Sequence, residues 1–110
     1  MNSTHRQIPL ACNMNVFTPA ERELHIQTTK KLFQSVQDIR ESGNGYEFSF
    51  PGSSDALVSV AEFISRERLC CPFLEFTFKV LPDYEVSTLL LTGPEGTQEF
   101  LRAEFSEVFL

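Results

Sequence analysis

Arg66-Glu67-Arg68-Leu69-Cys70-Cys71-Pro72-Phe73-Leu74-Glu75-Phe76-Thr77-Phe78 changes its hydrophobic period halfway along. Upstream, Leu57, Val60, Ala61, Ile64 and Cys71 fall on one helical face, behind the cap and acidic first turn of Ser53-Ser54-Asp55. Pro72 disfavours helical geometry at Cys71, so the helix is expected to end near Leu69 or Cys70. Downstream, Leu74, Phe76, Phe78 and Val80 alternate with Glu75, Thr77 and Lys79, the period of a strand with one buried face. A helix therefore hands over to a strand, and two adjacent cysteines mark the junction.

Towards the C-terminus, Pro82-Asp83-Tyr84 makes a turn and Val86 to Thr92 reads as a returning strand, the partner of an antiparallel hairpin. Gly93-Pro94-Glu95-Gly96-Thr97 opens a last helix with Leu101, Phe105 and Val108 inward. Towards the N-terminus, Tyr46, Phe48 and Phe50 form a short strand closed by Pro51-Gly52. Before it, Thr18-Pro19-Ala20-Glu21 has the residues of a capping box with proline at the first helical position. Leu24, Thr28, Leu32, Val36 and Ile39 then predict one helical face, ended by Ser42-Gly43-Asn44-Gly45. Ile8, Leu10, Cys12, Met14 and Val16 alternate with polar or small neighbours and predict a first strand. The expected fold class is α+β, a single two-layer domain over residues 8–110 in the order βαβαββα. A four-stranded mixed sheet would carry its helices mainly on one face, behind a disordered N-terminal tail of residues 1–7.

A length of 110 residues suits one domain with a real core, and eleven phenylalanines without a tryptophan make that core aromatic. The net charge of −6, with no basic block longer than Lys30-Lys31, argues against nucleic acid or a membrane surface as partner. No apolar run approaches the length of a membrane span. Met1 to Gln7 lacks the apolar core of a signal peptide, so a cytoplasmic location with free thiols is expected for the three cysteines.

The candidate metal ligands are Cys70 and Cys71, with Cys12 as a third sulfur. Adjacent cysteines cannot close an unstrained disulfide, but as thiolates they can hold a thiophilic ion. Glu67 stands one helical turn before the pair, where a carboxylate could accept a thiol proton. Arg66 and Arg68 would favour thiolate, and the negative end of the helix would oppose it. The competing reading is plain packing, since free cysteine is among the most buried residue types and Cys12 and Cys71 both fall on expected core faces. No C-x-x-C spacing, Gly-x-Ser-x-Gly elbow or lysine-bearing phosphate loop is present. His5 and His25 read as surface residues, and no catalytic or cofactor-binding residue is assigned.

Glu67-Arg68-Leu69-Cys70-Cys71-Pro72-Phe73, Phe76, Leu91-Thr92-Gly93-Pro94-Glu95-Gly96 and Phe100-Leu101 together resemble a family of short bacterial proteins of unassigned function. The resemblance covers about the last half of the chain and, upstream, the segment around Cys12. It implies a bacterial cytosolic protein and a link to thiophilic metals such as mercury, and it implies no activity. The reading that follows is a small thiol protein binding a soft metal or metalloid as a small ligand. The alternatives are a non-enzymatic binding or interaction domain with structural cysteines and, third, a thiol enzyme using Glu67 as proton shuttle.

Overall fold

In the computed structural model, residues 10–109 are described. The expected tail and Ile8 of the expected first strand lie outside them. Helix α1 spans Pro19–Phe33, strand β1 Asp38–Ser42, β2 Gly45–Pro51, helix α2 Ser54–Cys70, β3 Glu75–Val80, β4 Val86–Thr92 and helix α3 Thr97–Glu104. The capping box forms as its residues dictate: Thr18 Oγ1 accepts from the Glu21 N–H at 3.2 Å and the Thr18 N–H donates to Glu21 Oε1 at 2.8 Å. Ser53 caps α2, accepting from the Ala56 N–H at 3.3 Å.

The four strands lie in the order β1-β2-β4-β3, with every neighbouring pair antiparallel. The α+β class, the four strands and the helices packed mainly on one face are as the sequence predicts. The first strand is not. Residues 14–16 form a short 3-10 turn, and Cys12 lies in chain without regular secondary structure just before it. The alternation there has another cause: Cys12 and Met14 are half-buried against the core, while Val16 is exposed. The segment's backbone is held not by a sheet neighbour but by the Asn13 N–H donating to the Cys70 carbonyl at 2.7 Å.

The fourth strand comes instead from the expected end of the first helix. That helix stops at Phe33, and Asp38–Ser42 turns back to pair with β2. Val36 and Ile39 are three apart and suit a helical face, which hides the strand in the sequence. The strand is charged, with exposed Asp38, Arg40 and Glu41, as befits an edge that must not recruit another sheet. Gly43, at φ +54°, permits the tight turn, and Gly45 must be glycine because a Cβ there would run into the Leu91 carbonyl of β4. The order is therefore αββαββα and the sheet is antiparallel rather than mixed.

Phe48 and Phe50 of β2 and Leu89 and Leu91 of β4 fill the covered face, opposite Val60 and Phe63 of α2. Phe33 sits at the centre, stacked on Phe105 with ring centroids 4.5 Å apart and edge-on to Phe48, Phe50 and Phe63. Among the described residues no helix is long and apolar enough to cross a membrane.

Candidate metal centre

The C-terminal turn of α2 builds the site. Pro72 cannot continue the helix, so Cys71 becomes its cap, its N–H donating to the Glu67 carbonyl at 2.8 Å. Three and four residues apart on that turn, Glu67, Cys70 and Cys71 point to one place. The Cys70 thiol donates to Glu67 Oε1 at 3.5 Å, and Cys71 Sγ lies 3.4 Å from Glu67 Oε2. The two cysteine sulfurs are 3.8 Å apart.

Cys12 arrives from outside the helix. The Asn13–Cys70 backbone bond lays residues 12–13 across the end of α2, and Cys12 Sγ is bonded to Cys71 Sγ as a disulfide with Cα atoms 4.4 Å apart. The sequence predicts three free thiols; here Cys70 alone is free. The sulfurs of Cys12, Cys70 and Cys71 and a carboxylate oxygen of Glu67 all lie within 4.8 Å of one another. Three sulfurs and one carboxylate at that spacing make a donor set for a thiophilic ion once the disulfide is reduced.

His25 completes the inner arrangement. The sequence predicts a surface position for it, yet it is buried, with Nε2 2.7 Å from Glu67 Oε1. Its ring lies between Phe17 and Phe63, with centroids 5.4 and 6.0 Å away. The signal available was its spacing: His25 is two helical turns from Leu32, a better core position than Leu24, which is exposed.

The electrostatics favour thiol over thiolate at Cys70. Burial, followed by the neighbouring Glu67 charge and its hydrogen bond, pushes the Cys70 thiol up to about 12. Arg66 and Arg68 do not offset this. The Arg66 guanidinium reaches Glu62 at 3.5 Å and Thr28 at 3.4 Å, towards α1, and Arg68 is exposed. Behind the His25–Glu67 pair opens a cleft of about 790 Å³ whose lining includes Thr29, Phe33, Glu104 and Phe105. Partial burial there, then the Glu67 charge, raise the Glu104 carboxyl above the usual carboxylate range, while His25 works the other way.

No family model, curated protein or solved structure matches this chain.

Proposed function

We propose that this chain is a small cytoplasmic thiol protein that captures a soft metal or metalloid ion through Cys12, Cys70 and Cys71. The observation that supports this best is the convergence of three sulfurs from two distant segments on one carboxylate, within 4.8 Å. Thiolates select ions such as copper(I), mercury(II) or arsenic(III) over magnesium or calcium, which prefer oxygen. Glu67 would serve as a fourth donor or as acceptor of protons displaced from the thiols, and His25 holds its carboxylate in place. Capture belongs to the dithiol form, since a disulfide offers no thiolate. The resemblance to short bacterial proteins linked with thiophilic metals accords with this reading.

The test is intact mass and equilibrium dialysis of the reduced protein with arsenite or mercury(II), against magnesium. One equivalent of the soft ion per chain is expected, with most affinity lost in Cys71→Ser and part of it in Cys12→Ser. A reduced wild type that takes up none of them removes the reading.

A second reading is supported by the full burial of Cys70 and Cys71 within the core cluster. There the cysteines only pack and cross-link, and the domain binds a partner elsewhere. Serine variants that lose stability in the same measure as metal uptake would favour it.

A further inference from the structure

The three cysteines are not equivalent. Cys70 and Cys71 are sealed, both 0% exposed, whereas Cys12 is half-buried on a segment without regular partners. Of the two bonded sulfurs, only that of Cys12 belongs to a residue with access to solvent. Cys70 Sγ stands 3.8 Å from Cys71 Sγ, near enough to compete in exchange. Two features keep it out: it is sealed from solvent with its S–H donated to Glu67 Oε1 at 3.5 Å, and a Cys70–Cys71 bond would close a strained ring between adjacent residues. Glu67 Oε2, 3.4 Å from Cys71 Sγ, is an acceptor already in position for the S–H that reduction would create.

We infer that the Cys12–Cys71 disulfide is a reversible lock on this sulfur site, opened by a small-molecule thiol that attacks Cys12 Sγ and leaves Cys70 untouched. The inference rests on the metal-capture reading and adds its control. In the opening step a thiolate RS⁻, its proton lost to solvent, bonds to Cys12 Sγ. The Cys12–Cys71 bond breaks, and its electron pair leaves on Cys71 Sγ, which takes up a proton from solvent. A second RS⁻ then attacks the R-bearing sulfur of the mixed disulfide, releasing RSSR and a Cys12 thiolate that is protonated in turn. Two RSH are oxidised to RSSR and one protein disulfide becomes two thiols, so electrons and protons balance. The reverse sequence, driven by RSSR, closes the lock. In a thiol-rich compartment the site stands open, and under oxidising conditions two of its three sulfurs are withdrawn together.

The experiment uses the whole chain, oxidised with glutathione disulfide or reduced with glutathione, then freed of small molecules. Thiol counts under denaturing conditions should give one in the oxidised form and three in the reduced form. Arsenite should bind the reduced form alone. Incubating reduced Cys71→Ser with glutathione disulfide should place a glutathionyl group on Cys12 and none on Cys70, read by peptide mapping. Cys70→Ser should still lock and unlock, which preserves a test if the Cys71 variant fails to fold. An adduct on Cys70, or three thiols after oxidation, overturns the lock. Oxidised protein that binds arsenite as tightly as reduced protein also overturns it, while leaving metal capture standing. If neither form binds arsenite, the capture reading falls, and the lock as its control falls with it. The thiol count and adduct position would then still report the exchange chemistry by itself.

Discussion

His25 Nε2 on α1 and Glu67 Oε1 on α2 meet at 2.7 Å with both side chains almost wholly removed from solvent. The contact joins the two helices through polar atoms inside an aromatic layer, and it fixes the carboxylate that faces the sulfurs. Removing His25 takes from the buried Glu67 Oε1 its short partner and leaves it only the weak Cys70 thiol donor at 3.5 Å. His25→Ala should therefore destabilise the fold by about 1–3 kcal/mol, the cost of leaving a buried polar group poorly satisfied. His25→Gln, which keeps a donor, should cost clearly less. Urea denaturation of both variants checks this, and equal losses would mean that the ring's packing matters and its hydrogen bond does not.

Cys70 supplies a pH dependence on the alkaline side. Its folded value is raised to about 12 from an ordinary 9.0, so the native state holds its proton where the unfolded chain has lost it. The unfolded state then binds fewer protons, and stability falls as pH rises. The contribution is fully present below pH 9.0 and is lost progressively towards about 12. Oxidised wild type, in which Cys70 is the free thiol, should lose stability as pH rises above 9.0. Cys70→Ala should show a shallower decline. Parallel curves for the two proteins would remove Cys70 as the cause.

Glu104 acts in the acid range with the same sign. Its folded value lies above the ordinary 4.5, so ionising it at neutral pH opposes folding. Glu104→Gln should raise the thermal midpoint at pH 7, and the gain should vanish as pH falls below the usual carboxylate range. A gain that persists in acid would point to a cause other than charge.

Phe63 touches the rings of His25, Phe33, Phe76 and Phe105, which makes it the joint between the core and the site. Phe63→Ala should cost about 3–5 kcal/mol by transfer and cavity effects. It should also weaken arsenite binding by the reduced protein, because His25 loses one wall. A destabilised variant with unchanged binding would show that the site holds its shape without the core behind it.

Much of the second half of the fold was legible because its signals do not compete. Ser53, Pro72 and the Phe76/Phe78 alternation each admit one local structure, and α2, β3 and β4 lie where those residues predict. Thr18 and Glu21 located the start of α1 for the same reason. Its end was illegible: Val36 and Ile39 satisfy a helix and a strand alike, and β1 exists because β2 offers it an edge. The site was half legible. Adjacency alone brings Cys70 and Cys71 together, and helical spacing adds Glu67. The approach of Cys12 depends on one backbone hydrogen bond to Cys70 and leaves no pattern in the chain, while the burial of His25 left only its spacing from Leu32 as a signal, masked by the more apolar Leu24 beside it.

That single backbone bond, from the Asn13 N–H to the Cys70 carbonyl, also decides which changes near the N-terminus the site can absorb. It uses main-chain atoms, so the exposed side chains of Ala11, Asn15 and Val16 are free to vary in kind. The length between Cys12 and the Thr18 cap is not free, because both ends are pinned. Inserting or deleting one residue there would carry the sulfur away from Cys71. The segment is thus tolerant of spelling and intolerant of spacing, like a ruler whose markings matter less than its length.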